Sequence, residues 1–223
     1  FPYTTLFRSD RRPLRIAVSF GAIHAQLATL LARQRIEEPE TPVALYEAAP
    51  VEQIAGLKGR RYELGFTLDA RAEHGLKMQP LWYDELAVML PVRSPLLAYP
   101  AIPLSALVDY PVVMWHSEVC AATPYYVQAL FVEAEIAPHV TAQARSFEFM
   151  AAVVAAGYGV GLAARSRIDA AQEAGIVARP LHADGHTITT FLIYCDEVSE
   201  RVKRFIERAR RCAGTVSHRG VVG

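Results

Sequence analysis

The side chains of this sequence that could carry out covalent chemistry stand apart from one another. Its three cysteines, Cys120, Cys195 and Cys212, are never in C-x-x-C spacing, which suits a reducing cytoplasm and neither a disulfide scaffold nor a zinc site. The sequence contains no G-x-S-x-G, H-E-x-x-H or P-loop motif, the signatures of hydrolases, zinc proteases and nucleotide-binding enzymes. We therefore expect a protein that is not an enzyme, uses no cofactor and releases its ligand unchanged.

One group of polar residues has the composition of a metal site. His182, Asp184 and His186 lie close together in the sequence and could in principle hold a metal ion. The same residues suit a polar loop between two strands, which is the interpretation that we favour. We therefore expect no metal.

Three glycines, Gly157, Gly159 and Gly161, invite a nucleotide-binding interpretation. A dinucleotide-binding loop follows a strand and opens a helix, whereas this segment follows a predicted helix over 146–156 and opens a predicted strand over 160–163. We interpret it instead as a helix C-terminus that is ended by left-handed glycines.

Ser19, Phe20 and Gly21 are the strongest candidates for ligand binding. They follow the apolar run 14–18, which predicts a buried strand, and they precede an amphipathic stretch that predicts a helix. A strand that feeds a helix through such a turn leaves backbone N–H groups at the carboxyl end of a sheet, where a small anionic or polar ligand can bind. The alternative is a strand end and turn with no further role.

The rest of the chain also alternates strands with helices. Strands are predicted over 14–18, 43–47, 62–66, 81–90, 111–115, 140–144, 160–163 and 187–195. This order is typical of parallel sheets with helices on their faces. We predict an α/β fold of two Rossmann-like lobes joined by two crossover strands, similar to periplasmic binding proteins, with the ligand cleft between the lobes.

The predicted domain boundaries follow from this pattern. Residues 14–84 together with 195–212 form lobe I, and residues 85–194 form lobe II. Residues 1–13 are a leader outside the fold, and residues 213–223 are a loose tail. The segment 91–95, with a proline at each end, is the first break that resembles a crossing between lobes.

Six further candidates lie where a predicted strand ends or a predicted helix begins: Pro50, Val51, Thr67, Leu68, His116 and Phe147. Pro50 and Val51 start a helix whose N–H groups could hold a carboxylate, although helix initiation explains them equally well. Thr67 and Leu68 could form the floor of the cleft. An isolated histidine such as His116 is more often structural, and the core is the safer assignment for Phe147.

The sequence resembles the effector-binding domain of LysR-type transcriptional regulators over residues 14–212. The matching segments run in the order of that family: Leu14–Ser19, Pro42–Leu45, Tyr62–Phe66, Leu86–Pro91 with Ser94–Leu96, Val153–Leu162 and Arg179–Leu181. The sequence departs from the family pattern at four positions. Ala28 and Ala164 replace prolines, Glu63 replaces an aspartate, and Pro50 replaces a threonine that contacts the effector.

The resemblance implies a sensor of a small molecule. It places Thr123 on a loop of lobe II that faces lobe I, where the residue could bind the ligand, cap a helix, or do both. It implies a homodimer or tetramer in which the first helix of one subunit lies antiparallel to the helix at 125–135 of its partner. DNA would be bound only through a helix-turn-helix domain outside this chain.

Composition agrees with a sensor. Lys plus Arg and Asp plus Glu both number 23, which argues against nucleic acid or an anionic membrane as a direct partner of this chain. The candidate side chains are mostly apolar or small, which favours an aromatic compound or a small aromatic acid. An anionic ligand would then rely on helix N-termini rather than on arginines.

The alternative function is that of a periplasmic-type solute-binding protein, although residues 1–9 lack the features of a secretory signal.

Overall fold

The computed structural model describes residues 12–23, 25–71, 73–117, 122–182 and 186–214, with the backbone alone at 122–125 and 214. The strands are β1 Leu14–Val18, β2 Val43–Glu47, β3 Leu64–Thr67, β4 Leu76–Pro91, β5 Val112–Trp115, β6 Val140–Ala144, β7 Val160–Ala164, β8 Ile176–Pro180 and β9 Thr187–Cys195. The α-helices are α1 Ala25–Glu37, α2 Pro50–Lys58, α3 Ala122–Glu133, α4 Phe147–Ala155, α5 Arg165–Asp169 and α6 Glu200–Gly214. Short 3₁₀ helices lie at Pro95–Ala98, Leu104–Leu107 and Gln172–Ala174. No helix among these residues is long and apolar enough to cross a membrane.

The strands form two sheets that share β4. The first sheet runs β2-β1-β3-β9-β4, and the second runs β4-β7-β5-β6 with β8 also paired to β4. Residues 76–85 of β4 pair with β9, whereas residues 86–91 pair with β7 and β8. We call the body around the first sheet lobe I and the body around the second sheet lobe II. The predicted residue boundaries of the lobes stay a prediction.

Lobe I buries its sheet between helices. Phe66 and Trp82 lie on one face with Phe205 of α6, and their rings stack at 5.3 Å. Leu57 of α2 and Ile193 of β9 lie in the cluster on the other face. Helix α6 packs on α1, so the last helix of the chain completes the hydrophobic core of lobe I together with β1 and α1.

Lobe II repeats this arrangement with two further clusters. Phe147 and Met150 of α4 pack with Trp115 on one side of the sheet, and Val127 and Phe131 of α3 pack on the other. Helix α4 begins where the Ser146 hydroxyl accepts a hydrogen bond from the Phe149 N–H at 3.1 Å, as expected for an N-cap.

Three local expectations need correction. Strand β4 begins at Leu76 rather than at 81, because residues 76–80, which include polar side chains and a proline, also pair with β9, with a register shift between Pro80 and Trp82. Helix α5 and strand β8 were not predicted, because five residues are too few to show a helical period in α5, and β8 ends in Arg179 and Pro180, which interrupt the apolar signal of a strand. Gly157 has a φ of 82° as predicted, but Gly159 does not lie among the left-handed residues. A Cβ at Gly159 would stand 2.6 Å from the Pro111 carbonyl oxygen, so close approach of two backbones explains this glycine.

Candidate functional site

The turn after β1 lies at the carboxyl end of the first sheet. Ser19 is buried, its backbone N–H donates to the Phe66 carbonyl at 2.9 Å, and its carbonyl accepts from the Ala22 N–H at 2.9 Å. The Ser19 backbone is therefore engaged within the protein, and its hydroxyl is the group that could meet a ligand. The carbonyl of Phe20 accepts a hydrogen bond from Arg167 at 3.3 Å. Gly21 is half-buried beside it.

The end of β3 adds the next two candidates. Thr67 is buried, and its Oγ1 accepts a hydrogen bond from the Asp69 N–H at 3.1 Å. Leu68 packs against the cores of both lobes. Leu68 therefore lies on the seam between the lobes, and its role as the floor of a cleft stays a prediction.

Helix α2 begins beside this turn. Pro50 is buried in the first helical turn as predicted, whereas Val51 is 76% exposed. The Val51 side chain therefore faces solvent, and its contribution to a site would come from the backbone. Gln53 is fully buried and donates through Nε2 to the carbonyls of Ala17 and Phe66, both at 3.0 Å. These bonds fix the start of α2 against the ends of β1 and β3.

A small cavity lies under the start of α2. Pro50, Gln53, Thr67 and Asp69 are among the residues that line it, and its volume is about 10 Å³, room for about one water molecule. Arg71 donates through Nε to both Asp69 carboxylate oxygens, at 2.9 and 2.8 Å. Burial opposes ionisation of Asp69, but the Arg71 hydrogen bonds outweigh it and lower the pKa of that carboxyl.

Lobe II places two of the predicted candidates, His116 and Phe147, at the ends of its elements. His116 follows β5, and its backbone N–H donates to the Ala144 carbonyl at 2.9 Å. Phe147 at the start of α4 is 5% exposed and packs with Trp115, so it belongs to the core while it also contacts Arg167. Thr123 lies in α3, but its side chain is outside the described residues, and so is Asp184 of the alternative metal group.

Arg167 brings the two halves of the candidate site together, and sequence reasoning missed it. Its guanidinium carbon lies 4.7 Å from the centre of the Phe147 ring and 5.7 Å from that of the Trp115 ring. Across the seam, its Nη1 donates to the Phe20 carbonyl. The available signal was the Arg-Ser-Arg sequence at 165–167, which begins one residue after the predicted strand over 160–163, at the sheet edge where ligands bind.

The helix that carries Arg167 is fixed to the crossing strand β4. Ser166 donates to the Asp84 carboxylate through its N–H at 3.3 Å and also through its hydroxyl. Arg165 donates to Glu85 at 2.8 Å, and this hydrogen bond raises the pKa of Arg165. The position of α5 is therefore coupled to the strand that connects the lobes.

The arrangement brings together a serine hydroxyl, a backbone carbonyl and an arginine guanidinium, with which a small polar molecule can form hydrogen bonds. Within the described residues, no three His, Cys, Asp or Glu side chains are grouped to hold a metal ion. A second cavity of about 450 Å³ lies by the crossing, lined by residues that include Tyr83, Asp84 and His186. His186 Nδ1 lies 3.2 Å from the Tyr126 hydroxyl there.

Comparison with known proteins gives a consistent result. The family model of the LysR substrate binding domain matches residues 8–213. The effector-binding domain of QuiR in complex with shikimate has a TM-score of 0.82 and 18% identity, over 92% of this chain and 99% of that chain. The BenM effector-binding domain with its effector benzoate has a TM-score of 0.80 and 20% identity, over 91% and 92%. Full-length CbnR complexed with its target DNA has a TM-score of 0.81 and 20% identity, over 92% and 72%. This likeness confirms the predicted two-lobed, periplasmic-binding-protein-like fold.

Proposed function

Because this chain belongs to the LysR substrate-binding domain family, we propose that its seam between the lobes, around Arg167, is where it senses a small effector. The family match confirms the resemblance seen in the sequence and the role of an effector-binding domain of a transcriptional regulator. That family is not one of enzymes. We further propose that the ligand is released unchanged.

The convergence of both lobes on Arg167 is the observation that supports this site. Phe20 lies in lobe I and Phe147 in lobe II, and one guanidinium contacts both. A ligand between them would touch both lobes and so bind one inter-lobe angle better than another. Only such a difference in affinity lets a ligand shift a conformational equilibrium.

We place the remaining candidates around this point. Ser19, Gly21, Thr67 and Leu68 would line the lobe I side, and His116 and Thr123 the lobe II side. The start of α2, at Pro50 and Val51, would contribute backbone N–H groups. Two structural neighbours are the BenM effector-binding domain with benzoate and that of QuiR with shikimate, which supports a small ring-bearing ligand for this chain.

A ligand-dependent thermal shift tests the site. At 100 times its dissociation constant, a ligand should stabilise the native state by about 2.7 kcal/mol. A library of aromatic acids, alicyclic acids and uncharged metabolites should contain compounds that raise the unfolding temperature. Ser19→Ala should reduce that rise, because Ser19 lies on the seam with a hydroxyl that can meet the ligand.

Ser105→Ala is the matched control for this experiment. Ser105 is exposed in a 3₁₀ helix of lobe II, and the control should keep the full shift. An unaltered shift in both variants would contradict the placement of the ligand beside Ser19. Consumption of any compound by the protein would contradict release of the ligand unchanged.

We propose that the regulator acts as a homodimer or a tetramer, in which α1 of one subunit lies antiparallel to α3 of its partner. Apolar side chains that are exposed near the two edge strands, β2 in lobe I and β6 in lobe II, support this pairing. Lobe I exposes Ile36 by 79% and Leu45 by 48% near one edge, and lobe II exposes Val132 by 69% and Val140 by 41% near the other. In a two-fold dimer, the apolar edge of lobe I in each subunit would pack against the apolar edge of lobe II in its partner, so this contact would occur twice.

The variant Val132→Asp tests the pairing. A charge placed on α3 should move the domain from twice the chain mass of 24.6 kDa to the monomer in sedimentation analysis, because an unpaired charge is costly to bury. The control Val108→Asp changes a residue that is 50% exposed outside both edges and should leave the assembly intact. Equal assembly of both variants would contradict the proposed interface.

DNA contact and cell location complete the proposal. We assign DNA binding to a helix-turn-helix domain beyond this chain, in keeping with the balanced charge of this sequence. We place the protein in the cytoplasm, where DNA lies and where free thiols such as Cys195 and Cys212 stay reduced.

A further inference from the structure

Arg167 is held in one orientation by contacts from both lobes. The Phe147 ring lies 4.7 Å and the Trp115 ring 5.7 Å from its guanidinium carbon. A guanidinium against aromatic faces keeps its charge while the rings limit its contact with water. The side chain is thereby positioned before a ligand arrives, which lowers the entropy that binding must cost.

The helix beneath Arg167 is equally constrained. Its neighbours Ser166 and Arg165 are bonded to Asp84 and Glu85 of the crossing strand. Because its helix is anchored to β4 and its guanidinium is stacked on an aromatic ring, Arg167 can discriminate between ligands by geometry as well as by charge.

The bond from Arg167 to the Phe20 carbonyl is long for an arginine hydrogen bond. It measures 3.3 Å, whereas charge-assisted bonds to carboxylates are about 2.7–2.9 Å. A carboxylate is a stronger acceptor than a neutral carbonyl, and its two oxygens match the planar fork of a guanidinium. A ligand carboxylate that enters the seam would therefore compete well with the Phe20 carbonyl.

We propose that Arg167 selects a carboxylate-bearing effector. This inference rests on the proposed ligand site and names the chemistry that the site recognises. The carboxylate accepts from the Arg167 guanidinium in place of the Phe20 carbonyl, and the rest of the ligand lies in the seam. The anionic group is thus bound by an arginine, and not by helix N-termini as the sequence led us to expect.

Matched pairs of acids and amides test the inference. Benzoate and benzamide share a ring and differ in charge, and further aromatic and alicyclic acids are paired with their amides in the same way. Calorimetric titration of the wild-type domain should show at least one acid bound about tenfold or more tightly than its amide. Arg167→Gln should remove this preference, because it weakens binding of the acid far more than binding of the amide, and Arg167→Lys should keep part of it.

The control Arg93→Gln removes an exposed arginine of lobe II and should retain the full preference. The acid-to-amide ratio is independent of a general loss of stability, which would weaken both ligands together. A preference for acids that survives in Arg167→Gln overturns the inference, and so does equal binding of acids and amides by the wild type. Binding of uncharged compounds alone overturns it but leaves the proposed effector site standing, whereas binding of no compound contradicts both.

Discussion

Phe66→Ala is expected to lower the free energy of unfolding by about 3–5 kcal/mol, the usual cost of removing a buried aromatic ring. Phe66 is fully buried and its ring stacks on Trp82, with 5.3 Å between the centroids and 5° between the planes. The pair joins β3 to β4 in the core of lobe I. Loss of the ring leaves a cavity that the surrounding strands can fill only in part.

Urea unfolding at neutral pH measures this effect. Phe149→Ala is the matched control, because Phe149 is 50% exposed on α4 and its removal should change stability by less than about 1 kcal/mol. A cost of that small size for Phe66→Ala would mean that the stacked pair is not the centre of the core. The effect should also reach the proposed ligand site, since the Phe66 carbonyl accepts from Ser19 and Gln53.

Arg208→Met is expected to destabilise the domain by about 3 kcal/mol, the low end of the range for breaking a buried ion pair. The Arg208 side chain is 5% exposed and that of Glu38 is 8% exposed, with 3.2 Å between the paired atoms. Arg208 also donates to Glu37 at 2.7 Å and to Gln34. The cost lies at the low end because Arg204 still donates to Glu38, at 2.6 Å.

The same network makes stability depend on pH. Burial raises the pKa of Glu38, but hydrogen bonds from Arg204 and Arg208 outweigh it, so the pKa lies below the usual 4.5. The network therefore makes its full contribution to the free energy of unfolding above pH 4.5. This contribution is lost as the pH falls through the lowered pKa of Glu38 in the folded protein. The free energy of unfolding of the wild type, measured by urea unfolding at several pH values, should fall as the pH is lowered. The free energy of unfolding of Arg208→Met should fall less over the same pH interval.

Lys203→Met provides the control for this prediction. Lys203 pairs with Glu200 on the surface, where the side chains are 54% and 76% exposed, and exposed pairs contribute little. Its variant should keep both the stability and the acid response of the wild type. An unchanged pH response in Arg208→Met would show that other carboxylates govern acid unfolding.

Much of the fold was predictable because the sequence repeats a simple local pattern. The limits of β2, β6 and β9 agree with the structure, since apolar runs bounded by turn residues are strong local signals. Helix α6 buries Val202, Phe205, Ile206 and Ala209 as predicted. The candidate residues at strand ends were found in the same way, and their roles as ligand contacts stay predictions.

Charged residues were the main source of error. Arginines are expected in solvent, so no local pattern placed Arg208 inside a buried network or the Arg167 guanidinium against the Phe147 ring. Helix α5 was missed because five residues show no helical period. Arg167, on which the proposed recognition of a carboxylate depends, was missed together with this helix.

By itself, the sequence determined the order of strands and helices, the turns at their ends and the family resemblance, because these depend on neighbours along the chain. Only the tertiary structure decided which distant residues meet. Phe20 and Arg167 are 147 positions apart, and Gln34 and Arg208 are 174 positions apart. The sequence placed residues 195–212 beside the first lobe, but the individual contacts depend on how two sheets share β4 and on the angle at which α6 packs on α1, and no local pattern encodes that geometry.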